Sequence, residues 1–203
     1  VSDIQWFTNW SADNEVTPLL TVVNLNGSPA WDWGIIENLL ADPTAQSTLI
    51  TNLVNTAKNY NLGGVDIDFE TPNSDNQSED RVNFQNFISA LGSALQAEGL
   101  ILTINTFAAT YFAPNWSWWS GLTNSVDAIH SMGYEEIGYN CYSNSYCGYH
   151  NQINQAGDVN KVMMGIPGNK DNWLSQSVNY HLNGAKALGV GIAIWDVSIL
   201  TNE

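Results

Sequence analysis

The segment Gly63–Glu70, with the sequence GGVDIDFE, alternates acidic and apolar side chains in a way that decides the fold. Successive side chains of a β-strand point to opposite faces, and those on one face lie about 6.5–7 Å apart. One face therefore carries three carboxylates and the other carries three hydrophobes: Asp66, Asp68 and Glu70 against Val65, Ile67 and Phe69. An ordinary surface strand would show water a mixture of polar residues, so the surroundings must explain the purely acidic face.

Six further apolar runs, rich in β-branched or aromatic residues, recur along the chain at 4–10, 18–25, 100–107, 125–134, 161–168 and 189–197. Amphipathic helical patterns lie between several of them, at 44–60, 78–99 and 174–189. Asp42 followed by Pro43 predicts the start of the first helix, and Gly99 predicts the end of the second. The order strand, helix, strand predicts parallel βαβ units.

The chain is therefore predicted to be an α/β protein, with a (β/α)8 TIM-type barrel as the natural closure. In a barrel one face of each strand points at the axis and the other at the helices, which answers part of the question raised by the acidic face. Such a barrel has eight strands in about 250 residues, whereas seven strands are predicted in this chain of 203 residues. Either the barrel is incomplete at its N-terminal side, or a missing strand–helix unit precedes Val1, because residues 11–17 are too few for a crossover helix.

An open doubly wound sheet is the alternative fold. It expects a glycine-rich phosphate loop after the first strand, and none is evident. A single domain over residues 1–203 is predicted, since no linker, charge block or repeat interrupts the pattern.

The net charge of the chain limits the classes of partner that it is predicted to bind. Five Lys and Arg against 20 Asp and Glu give a formal net charge of −15. Such a surface repels phosphate backbones and anionic membranes, so neither nucleic acid nor a membrane is a predicted partner. A neutral polysaccharide would not be repelled.

Cys141 and Cys147 lie close together in the segment CYSNSYC and predict a local disulfide in a secreted loop. Two free thiols are the alternative, and a metal pair lacks nearby ligands of suitable spacing. Four N-glycosylation sequons point in the same direction, beginning at Asn9, Asn26, Asn76 and Asn115. The predicted location is therefore extracellular.

Three buried acids are unfavourable unless they are hydrogen-bonded, share a proton or perform chemistry. Glu70 falls at the C-terminal end of its strand, where barrel enzymes carry catalytic groups. A calcium loop needs a turn that Val, Ile and Phe do not make, and His130, His150 and His181 form no ligand-like pair. Catalytic use without a metal or cofactor is therefore predicted, with a two-metal site or a structural edge strand as the alternatives.

The segment Gly63–Glu70 resembles the D-x-x-D-x-D-x-E signature of glycoside hydrolase family 18, with Gly63 in place of the first Asp. The similarity continues in order through residues 19–197, including the family's M-x-Y-D segment, which appears here as Met132, Tyr134 and Glu135. The helix from Glu79 and the segment 43–70 are similar to the branch that includes spore-coat and cortex-type hydrolases. The resemblance implies a TIM-type barrel that acts on polymers or oligomers of N-acetylglucosamine.

Family 18 enzymes use the substrate's own acetamido group as nucleophile, so the resemblance implies roles for several residues. Glu70 protonates the leaving oxygen, Asp68 orients the acetamido N–H, and Asp66 shares a proton with Asp68. Tyr134 donates to the acetamido carbonyl, and Trp195 forms the floor under the sugar. The alternatives are that Tyr134 caps the core and that Trp195 is a buried core aromatic.

Further substrate contacts follow from the same resemblance. The predicted substrate-binding set comprises Trp195, Glu135, Met132, Asn105, Tyr111 and Trp118. The loop aromatics Trp116, Trp118 and Trp119, and likewise Trp31 and Trp33, would either extend a sugar platform or pack onto the protein itself.

The predicted function is hydrolysis of β-1,4-linked N-acetylglucosamine in chitin or chitooligosaccharides. An endo-β-N-acetylglucosaminidase acting on N-glycans or peptidoglycan would use the same chemistry. A non-catalytic chitinase-like lectin is the alternative from another class, because a fold does not guarantee a function. The presence of Glu70, Asp68 and Tyr134 together favours an enzyme.

Overall fold

The computed structural model describes residues 2–27, 30–70, 77–106, 121–132, 134, 153, 156–168 and 177–195. The helices are α1 (Ser2–Asp13), α2 (Trp33–Ala41), α3 (Pro43–Asn59), α4 (Gln77–Gln96) and α5 (Val178–Leu188). The strands are β1 (Leu19–Val23), β2 (Gly64–Asp68), β3 (Ile101–Thr106), β4 (Ala128–Ser131), β5 (Val162–Pro167) and β6 (Gly191–Trp195). These six strands follow one another in chain order in one sheet. The predicted α/β class and parallel pairing are confirmed.

The chain divides into two compact units. The first comprises residues 1–104 and 124–127, and the second comprises residues 105–123 and 128–203. The prediction of one catalytic domain over residues 1–203 stays a prediction.

In the first unit, β2 lies between β1 and β3 in parallel register. The register places Asp66 between Thr21 of β1 and Thr103 of β3. Gly64 begins β2 so close to β3 that a Cβ there would come 2.0 Å from the Ile101 carbonyl oxygen. Only glycine therefore fits at this point of the pairing.

The apolar face of β2 packs as the alternation predicts. Val65, Ile67 and Phe69 are all buried. The Phe69 ring lies 6.3 Å from that of Phe84 and 6.4 Å from that of Phe87, both on α4. Burial of this face against a helix fixes the opposite face, and with it the carboxylates, on the other side of the sheet.

The ends of α3 and α4 follow their predicted signals. Asp42 accepts hydrogen bonds from the backbone N–H groups of Thr44 (2.8 Å) and Ala45 (3.1 Å), and Pro43 is the first helical residue. Gly99, three residues beyond α4, has a φ of 72°. The predicted buried face of α4 is confirmed, and it consists of Phe84, Phe87, Ile88, Leu91 and Leu95.

The predicted strand at residues 4–10 is wrong, because this segment belongs to α1. Its apolar residues Ile4, Phe7 and Trp10 recur every third position, which places them near one face of a helix but on alternate faces of a strand. The rings of Phe7 and Trp10 stack one turn apart, with centroids 6.3 Å from each other. The Asn14 side-chain amide donates to the Trp10 carbonyl at 2.8 Å.

The second unit contains β4, β5 and β6, paired in parallel register, with α5 preceding β6. Met164 of β5 and Ala185 of α5 form its buried cluster, and Tyr180, Leu188 and Val190 pack against it. The Thr106 carbonyl, at the end of β3, accepts a hydrogen bond of 2.8 Å from Met132 N–H just after β4.

Within the described ranges, none of the helices combines the length and the hydropathy that crossing a bilayer would require.

Candidate active site

The three acids of the segment Gly63–Glu70 lie together at the C-terminal end of β2. Asp66 is inside the strand, Asp68 is its last residue, and Glu70 follows two residues later. Alternation along the backbone places them on the face opposite Val65 and Ile67. This end of a parallel strand is where α/β enzymes collect functional groups.

Asp66 is held by the neighbouring strands. Its Oδ1 accepts a hydrogen bond of 2.5 Å from the Thr103 hydroxyl, and its Oδ2 accepts one of 3.4 Å from the Thr21 hydroxyl. Asp66 is only 7% exposed. Two hydroxyl donors therefore fix and stabilise a carboxylate that would be unfavourable alone in this position. The predicted sharing of a proton between Asp66 and Asp68 stays a prediction.

Asp68 is partly buried, and among the described residues its Oδ1 has no hydrogen-bond partner. Burial raises the pKa of Asp68 to about 6, and the nearby charge of Asp66 adds to the increase. Both causes disfavour the ionised carboxylate. An acceptor of this kind is suited to an N–H donor from a bound molecule.

Glu70 is the second of these acids whose pKa lies above its ordinary value. Burial raises the pKa of Glu70 to about 7, and the charge of Asp68 contributes as well. A carboxylic acid with a pKa near neutrality still carries a proton at the pH where an enzyme works. Glu70 therefore has the property that a general acid requires.

Asn24, which the sequence analysis did not single out, binds the backbone of Glu70 at two points. Its side-chain amide N–H donates to the Glu70 carbonyl oxygen at 2.9 Å, and its Oδ1 accepts from the Glu70 N–H at 2.8 Å. Asn24 is 2% exposed and directly follows β1. The signal for it was a polar residue placed at the end of the apolar run 18–25.

Four of the predicted site residues lie in the second unit: Asn105, Met132, Tyr134 and Trp195. Trp195 ends β6 and is 60% exposed, so the alternative of a buried core aromatic is wrong. The Tyr134 ring lies against β5, where a Cβ on Gly165 would come 2.8 Å from its Cε1 atom and 2.2 Å from the Ser131 carbonyl oxygen. The absence of a side chain at residue 165 therefore makes room for Tyr134. The substrate contacts assigned to these residues stay predictions.

Several predicted residues lie outside the described ranges: Tyr111, Trp118, Glu135, Cys141 and Cys147. Trp116 and Trp119 lie outside them as well. Of the two tryptophans after β1, Trp33 is buried as the first residue of α2, and its indole N–H donates to Asp80 at 2.8 Å. Its alternative role in a sugar platform is therefore wrong.

Within the described parts of the chain, no group of three or more His, Cys, Asp and Glu residues is arranged to hold a metal ion. What the described residues of the first unit offer is a proton donor, an adjacent acceptor and a buried supporting carboxylate.

Comparison with known proteins identifies similar glycosidases. The family model described as "Glycosyl hydrolases family 18" matches residues 19–198. The chain is 36% identical over 133 residues to the "Putative sporulation-specific glycosylase YdhD" of Bacillus subtilis (strain 168), covering 63% of this chain and 30% of that protein. It is 24% identical over 200 residues to the class V chitinase CHIT5b of Medicago truncatula, covering 86% of this chain and 52% of that protein.

Among solved structures, the Bacillus cereus spore cortex-lytic enzyme SleL matches with a TM-score of 0.76 at 18% identity, covering 98% of this chain and 60% of that chain. The structural neighbours in this family are TIM barrels, so the predicted TIM-type fold class is confirmed. The six parallel strands of the described residues are consistent with part of such a barrel. The chain spans 30–53% of the length of the curated relatives it matches.

Proposed function

We propose that this chain, which belongs to glycosyl hydrolase family 18, hydrolyses β-1,4-linked N-acetylglucosamine polymers such as chitin and chitooligosaccharides. The observation that carries the proposal is the acidic row on β2, in which Glu70 has a pKa of about 7 beside Asp68 with a pKa of about 6. Groups that titrate near neutrality and lie two residues apart at a strand end suit acid–base chemistry.

In the proposed reaction, Glu70 donates its proton to the glycosidic oxygen as the bond from that oxygen to the anomeric carbon breaks. The carbonyl oxygen of the substrate's acetamido group forms the new bond to the anomeric carbon and gives an oxazolinium ion. The Glu70 carboxylate then takes a proton from a water molecule. The water oxygen attacks the anomeric carbon, and the bond from that carbon to the acetamido oxygen breaks, which opens the oxazoline ring. The acetamido group thus replaces the protein nucleophile that most retaining glycosidases use.

Asp68 supports the acetamido group in this scheme. Its Oδ1, which has no hydrogen-bond partner among the described residues, accepts the acetamido N–H. A carboxylate there also stabilises the positive charge of the oxazolinium ion. Asp66, fixed by Thr21 and Thr103, shares a proton with Asp68 in this scheme. Tyr134 and Trp195 keep their predicted roles as acetamido donor and sugar floor.

The charge of the chain favours a neutral substrate. With a net charge of −15, the protein repels polymers rich in carboxylates more than it repels chitin, which carries no charge. A cortex-type glucosaminidase is the second candidate function, because the chain is 36% identical over 133 residues to a relative named as sporulation-specific. Secretion, predicted from the cysteine pair and the sequons, remains part of the proposal.

Incubation with chitopentaose tests this proposal. We expect shorter chitooligosaccharides to appear, whereas cellopentaose should stay intact because it lacks the acetamido group. Products can be separated by chromatography and identified by mass spectrometry. Cleavage of purified peptidoglycan but not of chitopentaose would establish the second candidate instead, and binding of chitopentaose without cleavage of any of these polymers would indicate a lectin.

The raised pKa values of Asp68 and Glu70 fix how the rate of cleavage should depend on pH. Glu70 must be protonated, so kcat/KM should fall as pH rises through about 7. Asp68 stabilises positive charge only when ionised, so kcat/KM should also fall as pH drops below about 6. We therefore expect a bell-shaped profile with its maximum between these values, measured as kcat/KM for chitopentaose from pH 4 to pH 9. A rate that rises steadily up to pH 9 would contradict the role of Glu70 as acid.

A further inference from the structure

The backbone of Glu70 lies beyond the regular pairing of its strand. The register of β1 and β2 ends at the pair Val23 and Asp68, two residues before Glu70. Beyond that point the Asn24 side chain replaces the strand as the hydrogen-bond partner. Its amide forms one hydrogen bond with the Glu70 N–H and one with the Glu70 carbonyl oxygen. A primary amide thus substitutes for the peptide group of a neighbouring strand.

The pattern of these two bonds requires a side-chain amide. A donor and an acceptor must lie side by side in one plane to bind the N–H and C=O groups of a single residue, and a side-chain amide provides both. A carboxylate provides only acceptors, a hydroxyl cannot reach both groups, and Leu provides neither. Because Asn24 is almost fully buried, water does not replace its bonds at low cost.

The backbone of Asn24 is itself hydrogen-bonded. Its backbone carbonyl oxygen accepts a hydrogen bond of 2.9 Å from the N–H of Asp32. Asp32 caps α2 by accepting from Gly34 N–H at 3.0 Å and also accepts from the Asn26 side chain at 2.9 Å. The backbone of Asn24 is therefore bonded to the residue that caps α2, and this restrains the side chain that binds Glu70.

We infer that Asn24 is a positioning residue, whose amide fixes the backbone of Glu70 so that the carboxyl group points at the bond to be cleaved. This inference rests on the proposed function. It assigns a role in catalysis to a residue on a different strand from the acids, one that need not touch the substrate. Displacement of a reacting group by about 1 Å can lower a rate about 100-fold. Loss of the two hydrogen bonds that hold the Glu70 backbone is therefore expected to lower kcat measurably.

The test compares Asn24→Ala with the matched control Asn38→Ala. Asn38 lies exposed on α2, and its amide donates to the Gly34 carbonyl at 2.8 Å, so the control also removes an asparagine hydrogen bond near the same helix. We expect kcat for chitopentaose to fall about 10- to 100-fold in Asn24→Ala, with little change in KM, and to stay at the wild-type value in Asn38→Ala. Assays are run well below the melting temperature of each variant.

The pH profile distinguishes positioning from a general loss of folded protein. A Glu70 side chain released from its place meets more water, so the high-pH limb of the profile, set near pH 7 by Glu70, should move to lower pH in Asn24→Ala. A smaller folded fraction would lower the rate at every pH without moving the limb. Equal kcat and an unmoved limb in Asn24→Ala and wild type would overturn the inference.

Asn24→Asp decides the question if the alanine variant does not fold. Aspartate keeps the size of asparagine and the acceptor for Glu70 N–H but loses the donor to the carbonyl oxygen, and it adds a negative charge. We expect a reduced kcat and a high-pH limb that moves upward, the opposite of the alanine variant. An Asn24→Asp enzyme with wild-type kcat and profile would refute positioning by Asn24, whereas a wild-type protein that cleaves no polymer would refute the proposed function itself.

Discussion

Replacing Glu70 with Gln should abolish cleavage of chitooligosaccharides while leaving their binding intact. The amide has nearly the same shape as the carboxyl group but has no acidic proton to give to the leaving oxygen. Loss of a general acid lowers a rate by about 10²- to 10⁴-fold, and the same group would also activate the water in the second step. The measurements are kcat for chitopentaose by product analysis and Kd by calorimetry.

Glu79→Gln is the matched control, because Glu79 is an exposed carboxylate in the first turn of α4. It should leave both kcat and Kd unchanged. Cleavage by Glu70→Gln at more than a tenth of the wild-type rate would mean that another group supplies the proton.

The Glu70→Gln variant should be more stable than the wild type at high pH. Glu70 has a folded pKa of about 7 against an ordinary value of 4.5, so folding favours its protonated form. The stability that this proton provides is complete below pH 4.5 and is lost as pH rises through about 7. Glutamine cannot ionise, so at pH 8 the variant should gain about 1 kcal/mol after solvent screening is allowed for, or roughly 2–4 °C in melting temperature. A melting temperature that falls at pH 8 would show that the substitution damages the fold.

Replacing Asp68 with Asn should lower kcat about 100-fold or more and shift the pH profile as well. The amide oxygen can still accept the acetamido N–H, but it brings no negative charge to stabilise the oxazolinium ion. Because the charge of Asp68 raises the pKa of Glu70, its removal should move the high-pH limb of the profile to lower pH. The measurements are kcat and kcat/KM for chitopentaose across the pH range.

Asp13→Asn is the control for this substitution, since Asp13 lies exposed at the end of α1. It also removes one negative charge from the chain, so it separates a local effect of Asp68 from a change in net charge. An unshifted limb in Asp68→Asn would show that Asp68 does not act on Glu70.

Much of the first unit could be predicted because its signals are local in sequence. The alternation of residues 63–70 fixed both faces of β2, and Asp42, Pro43 and Gly99 marked helix ends by their own backbone preferences. The strand prediction at residues 4–10 was wrong because it rested on the aromatic and branched composition of a short run, whereas the spacing of Ile4, Phe7 and Trp10 is that of a helix.

Other features depend on contacts between residues far apart in sequence. The hydrogen bonds between Asn24 and Glu70 join residues 46 positions apart, and no local sequence pattern indicates a contact over that separation. Trp33 shows the same limit, because its burial follows from an indole bond to Asp80, 47 positions away. Tyr134, Met132, Asn105 and Trp195 were proposed from the family resemblance alone, and their roles in the second unit stay predictions.

The configuration of the first product formed from chitopentaose tests the substrate-assisted mechanism most directly. Proton NMR of the wild-type enzyme at work distinguishes the two anomers of each newly formed reducing end before they interconvert. Attack by the acetamido oxygen followed by attack of water inverts the anomeric carbon twice, so the β anomer should accumulate first. Initial accumulation of the α anomer would require direct attack by water and would contradict a cyclic acetamido intermediate assembled beside Asp68 and Glu70.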